Sequence, residues 1–146
     1  MKTVLLVLIS IMSVGLLSAQ ELPKDVEKIY KGAEHLKKKK QLNEAVNAYK
    51  EVLRSVDHVP SMASIAQIEM EIRTPPNYRT AYKYYDMAIT ELERQITATD
   101  KKKEKYKLAQ EHERLTPKRK KAKSHVDDFD KAKDLKKGGM RLMEEE

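Results

Sequence analysis

The sequence predicts an all-α protein: antiparallel helix-turn-helix units, about two of them, followed by a charged helical C-terminal extension. Three observations carry that expectation. The chain has only 5 Pro and 4 Gly in 146 residues, and Lys, Glu, Ala and Leu, all good helix formers, dominate the rest. The chain also matches itself at an offset of 36 residues. Ile29 falls on Ile65, Leu36 on Ile72, Leu42 on Tyr78, Ala45 on Ala81 and Tyr49 on Tyr85. Val52 falls on Ala88, Leu53 on Ile89 and Val56 on Leu92, so every pair is apolar or aromatic on both sides. Finally, apolar residues inside each unit recur at steps of three and four, the period of one helix face.

The first element is a leader. Met1-Lys2 gives a positive start, residues 4–17 are uncharged and mostly apolar, and Ser18-Ala19 offers small residues before polar Gln20. That is the layout of a secretory signal peptide, residues 1–19, with cleavage after Ala19. The run is short of the roughly 20 apolar residues a spanning helix needs. An uncleaved anchor or a buried helix is the alternative, and bulky Leu17 does not favour the cleavage site. Export to a periplasm, cell envelope or medium follows, with no permanent membrane span once the leader is removed. No cysteine is present, so disulfides, thiolate metal sites and a Cys nucleophile are excluded.

Residues 20–96 form the second region, a helical repeat domain. In its first unit Ile29, Ala33 and Leu36 share one helix face. Four lysines, Lys37 to Lys40, mark the turn. Leu42, Ala45, Tyr49, Val52, Leu53 and Val56 share the next face, with Asn43 as expected N-cap and Pro60 as terminator. The second unit runs from Ser61 with Ile65, Ile68 and Ile72. Thr74-Pro75-Pro76-Asn77 breaks it, and Tyr78, Ala81, Tyr85, Ala88 and Ile89 follow on the second helix.

This pattern resembles the tetratricopeptide repeat, a helix-turn-helix unit of about 34 residues. Ala45 with Tyr49 and Ala81 with Tyr85 match that family's alanine followed by an aromatic four residues on. Ile29, Gly32-Ala33 and Leu36, then Ile65, Ile68-Glu69 and Ile72, stand at its first-helix positions. The characteristic Trp is absent, Glu69 replaces a small residue, and the unit is two residues longer. The resemblance covers about half the mature chain, and a generic pair of helical hairpins is the plainer alternative. It implies a scaffolding or assembly role and a concave face for a peptide or subunit; no catalysis and no cofactor are expected, because the motifs that would carry them are missing. About three such units are normally needed for stability, which makes the segment after the second a candidate neighbour.

Residues 97–146 form the third region. A helix either restarts with Thr99 or Asp100 as cap, or runs on from Tyr78 to Leu115. Its apolar stripe, Tyr106 with Ala109, is thin, so weak packing is expected over residues 99–123. Beyond Pro117, Val126, Phe129, Ala132 and Leu135 recur every third residue and suggest a last helix. Gly138-Gly139 ends it, leaving a loose acidic tail.

Charge is asymmetric. Residues 20–98 carry 13 basic and 12 acidic residues; residues 99–146 carry 16 and 11. Residues 101–123 hold 11 Lys or Arg against Glu104, Glu111 and Glu113. Lys101, Lys102, Lys103, Lys105, Lys107, Lys118, Arg119, Lys120, Lys121 and Lys123 are candidate contacts for an anionic lipid or polymer. A solvated face without ligand is the plainer account. Nucleic acid is disfavoured, because Lys outnumbers Arg and Tyr106 is the lone aromatic there.

Little else suggests chemistry. His35, His58, His112 and His125 lack helical metal-site spacing, and His112-Glu113 lacks the second His of a zinc-protease helix. Asp127, Asp128, Asp130 and Asp134 lack the Gly and closing Glu of a calcium loop. No phosphate loop or nucleophile arrangement is present. Tyr78, Tyr82 and Tyr85 share a face and are expected to pack, whereas Tyr84 is the candidate partner contact.

Overall fold

The computed structural model describes residues 22–144, with side chains to residue 136. The expected leader, residues 1–19, lies outside the described residues. Five helices follow: α1 (Lys24–Lys38), α2 (Leu42–Ser55), α3 (Val59–Gln67), α4 (Tyr78–Ala98) and α5 (Lys102–Glu144). A π-helical turn (Ile68–Ile72) prolongs α3. No strand occurs among the described residues, and none of these helices is long and apolar enough to cross a membrane.

Local chemistry explains the boundaries. α1 has Asp25 and Glu27 in its first turn and His35, Lys37 and Lys38 in its last, both favourable to the helix dipole. It ends in a Schellman motif. Gln41 N–H donates to the Leu36 carbonyl and Lys40 N–H to that of Lys37, each at 3.0 Å. The motif puts Lys40 at φ 60°, a conformation that suits glycine. Asn43 does not cap α2. The N-cap position is Gln41, two residues earlier, and the Asn43 side chain instead accepts from Arg73 at 2.9 Å. Pro60 does not terminate the first unit; it sits in the first turn of α3, where its missing N–H has no intrahelical partner to lose. Asn77 caps α4 by accepting from the Thr80 N–H at 3.1 Å.

The helices stack in chain order, each packing on the next. Hydrogen bonds fix their directions. Glu34 accepts from Ser64 at 3.4 Å, and Lys37 donates to Gln67 at 2.9 Å. Both links join residues thirty apart, so α1 and α3 run parallel. Between α4 and α5 the numbers run oppositely: Glu93 meets His112 at 3.2 Å, Asp86 meets Arg119 at 3.1 Å, and Arg79 meets Asp130 at 2.7 Å. α5 is therefore antiparallel to α4. Helices α1, α3 and α5 line one side of the molecule, and α2 and α4 back them.

Two apolar clusters hold the stack. One gathers Ala33, Ala45, Val46, Tyr49, Ile65 and Ile68 across α1, α2 and α3. The other gathers Met62, Ala66, Ala81, Tyr85, Ala88, Ile89 and Leu92 with Leu115 and Ala122 of α5. Ile29, Leu36, Leu42, Leu53 and Tyr78 are half-buried at the margins. Ile72 is 38% exposed instead of being core. The π turn bonds five residues apart and so shifts the register by one, carrying Ile72 off the buried face. Glu69 turns inward instead, 5% exposed, and pairs with Arg73 at 3.2 Å.

The back half differs most from expectation. Pro117 breaks nothing: one helix of 43 residues runs through it and on past Gly138-Gly139 to Glu144. The weak packing expected for residues 99–123 is replaced by Leu108, Leu115 and Ala122, seven residues apart, docking on α4. Burial on both sides of Pro117 outweighs the roughly 3 kcal/mol an internal proline costs. Thr116 Oγ1 donates to the His112 carbonyl at 2.8 Å on the same turn.

Replacing Leu115 with Ala is expected to cost roughly 2–5 kcal/mol, as for other buried leucines; chemical denaturation of the variant measures it, and an unchanged midpoint would mean α5 does not dock. Lys40→Gly should stabilise by about 1 kcal/mol, because the left-handed conformation carries a penalty of that order for a residue with a Cβ.

Candidate functional site

The side formed by α1, α3 and α5 carries a polar groove of about 260 Å³. Tyr30, Glu34 and Lys37 come from α1, and Ser64 and Gln67 from α3. Glu111, Arg114 and Lys118 come from α5, with Tyr85 of α4 behind them. Helical spacing places each set: steps of three and four on α1, α3 and α5 bring one row of side chains to the same face.

Hydrogen bonds tie the groove floor together. Tyr49 donates its hydroxyl to Glu34, and Ser64 donates to the same carboxylate oxygen. Burial, reinforced by the bond to Glu34, holds the Tyr49 phenol far above its ordinary pKa, so it remains a donor. Tyr30 stacks edge-on against His58 with centroids 4.7 Å apart, closing the end of the groove near the α2–α3 junction. Toward α5, Arg114 holds Glu111 and Lys118 holds Glu71 at 2.8 Å. Burial pushes the Glu71 carboxyl upward, but the hydrogen bonds from Lys118 and Gln67 prevail and its pKa is lowered. The groove thus presents both donors and acceptors. The buried Tyr85 hydroxyl behind it has no hydrogen-bond partner among the described residues.

The sequence-derived contact residues are placed unevenly. Tyr84 does not stand free; it is half-buried and packs against both clusters, since α4 is covered by α3 on that side. Of the ten basic candidates, Lys118, Arg119 and Lys123 are committed to Glu71, Asp86 and Asp127. Lys101, Lys102, Lys103, Lys105, Lys107, Lys120 and Lys121 are exposed and make no ion pair among the described residues. The first five cluster at the start of α5. Glu34, Lys37, Ser64, Gln67, Glu111 and Arg114 were not singled out from sequence. The available signal was the polar complement of the apolar stripes on α1 and α3.

A second concavity, about 710 Å³, lies where the α3–α4 turn meets α5. Pro75 and Pro76 form one wall, and Val126 and Phe129 the other. Tyr78 stacks on His125 with centroids 4.0 Å apart at its base. Phe129 is 66% exposed. No group of three or more metal-ligating side chains occurs among the described residues.

His58 occupies the N-cap position just before α3, with Nδ1 2.8 Å from Ser61 Oγ. Burial lowers its pKa, since the protonated ring would lose solvation. The folded value lies below the unfolded one of about 6.5. Stability from this group is therefore fully present above that pH and is lost as pH falls toward the folded pKa, because the unfolded chain takes up the proton first. A His58→Gln variant should show a flatter dependence of unfolding free energy on pH in this window than the parent; equal slopes would remove His58 as the cause.

Comparison of the chain with protein-family models, with curated proteins and with solved structures returns no match.

Proposed function

We propose that this is a non-catalytic interaction protein of the cell envelope. Exported by its leader, it holds an extended segment of a partner protein in the groove across α1, α3 and α5. The observation that carries this reading is the groove lining. Three parallel helices present one face, with donors (Lys37, Gln67, Arg114) and acceptors (Glu34, Glu111) interspersed. A peptide main chain alternates donors and acceptors and has no net charge, which suits such a lining. The stacking of helices in chain order, with the small-residue and aromatic pairs Ala45/Tyr49 and Ala81/Tyr85 buried, supports a tetratricopeptide-like array as the scaffold.

A second reading draws on the unpaired lysines at the start of α5. Five exposed cations on two turns would hold an anionic lipid or polymer surface, with the helices serving only as a mount.

Two variants separate the readings without disturbing the core. One replaces Lys101, Lys102, Lys103, Lys105 and Lys107 with Gln; the other combines Lys37→Ala, Gln67→Ala and Arg114→Ala. Partners captured from envelope extract should survive the first set and be lost with the second. Loss with the first set alone, together with salt-sensitive binding to anionic vesicles, would establish the surface-binding role instead.

A further inference from the structure

The concavity between the α3–α4 turn and α5 has features the groove does not explain. Phe129 continues the seven-residue series Leu108, Leu115, Ala122, yet α4 begins at Tyr78 and offers nothing further to cover it. Its ring stands 66% exposed beside Pro75, Pro76 and Val126. An aromatic left out of the core beside a concave apolar wall is the usual form of a contact point for another molecule.

The polar part of the lining is one-sided. Arg73, Arg79 and His125 line the concavity, and among the described residues no Asp or Glu does. Arg79 pairs with Asp130 and Arg73 with Glu69, but both carboxylates stand outside the lining. The Nε of Arg73 is buried and has no acceptor among the described residues. A buried N–H of a charged group without a partner is costly. The α4 N-terminus opens at the same place, and its dipole also favours negative charge.

From these features we propose that the concavity is a second docking site. It takes a polypeptide segment of another protein that carries an apolar side chain next to a carboxylate. The apolar side chain seats against Phe129, Val126 and the two prolines. The carboxylate lies toward Arg79, Arg73 and His125. The volume, about 710 Å³, accommodates a few side chains rather than a folded surface. This site is separate from the groove and stands whether or not the groove binds a peptide.

The test uses three short, end-blocked, fluorescently labelled peptides: alternating Leu and Glu, alternating Ser and Glu, and alternating Leu and Lys. Anisotropy titration of the full chain should show binding of the Leu/Glu peptide and at least roughly tenfold weaker binding of the other two, a difference of one affinity decade. Phe129→Ala, which removes an exposed ring and spares the core, should weaken the Leu/Glu peptide by a similar factor, and so should Arg79→Gln. The lysine-to-glutamine variant and the groove triple variant should bind it as the parent does, and ring resonances of Tyr78, His125 and Phe129 should shift on titration. Equal binding of the Ser/Glu peptide would reduce the effect to diffuse charge and overturn the proposal. Equal binding of the Leu/Lys peptide would overturn its electrostatic half. Binding indifferent to Phe129→Ala would overturn the site itself.

Discussion

Close approach of helices at alanine is the constraint on which the rest of this structure depends. Ala33, Ala45, Ala66, Ala81, Ala88 and Ala122 are all fully excluded from solvent. Each is small enough to let two helix backbones draw together, and the space left beside it is filled by Tyr49 or Tyr85. With no disulfide available, this packing is the source of cohesion. The aromatics also pass the core outward: Tyr49 reaches from the packed interior to Glu34, so the layer that stabilises the hairpins fixes the carboxylate at the groove floor. Site and scaffold are consecutive shells of one arrangement, which is why the groove follows the stacking axis.

The helical character of the chain was legible because it rests on period, and period is local. Matched pairs such as Ala45/Ala81 and Tyr49/Tyr85 fell on buried faces because a 36-residue offset leaves successive hairpins in nearly the same phase: α3 starts at Val59 against Lys24 for α1, and α4 at Tyr78 against Leu42 for α2. What escaped was set by geometry that spacing does not encode. Ile72 lost its place through one π turn. Asn43 lost its capping role because Arg73, thirty residues away, competes for its side chain. Lys40 hid a Schellman turn within a run of four identical residues, where no glycine marked it.

The groove was less legible still. Glu34, Gln67 and Arg114 come from three helices, and nothing in their local sequence separates them from other solvated polar residues. Only the parallel alignment of α1, α3 and α5 brings them together. Tyr84 shows the converse. Its position off the Tyr78/Tyr82/Tyr85 face suggested exposure, but α4 is covered on more than one side, by α3 and by α5, so a second face of that helix is also half-buried.

The long helix α5 shows how packing and charge divide the work. Along its length it makes polar links to the rest of the chain: the His112–Glu93 contact, then the ion pairs Lys118–Glu71, Arg119–Asp86 and Arg79–Asp130. Exposed pairs of this kind contribute about 0–1 kcal/mol each and weaken with salt, so they cannot by themselves hold a helix so rich in lysine. The three links to α4 do fix register, since each joins residues whose numbers rise on one helix and fall on the other. Stability must come from Leu115 and Ala122, the two fully buried residues among those described in α5, with Leu108 beside them. A helix anchored at so few points, with Phe129 and Leu135 uncovered further along, belongs to the less stable end of a fold. Any partner that covers α5, in the groove at Arg114 or beside Phe129, therefore also adds to its docking on α4 by mass action.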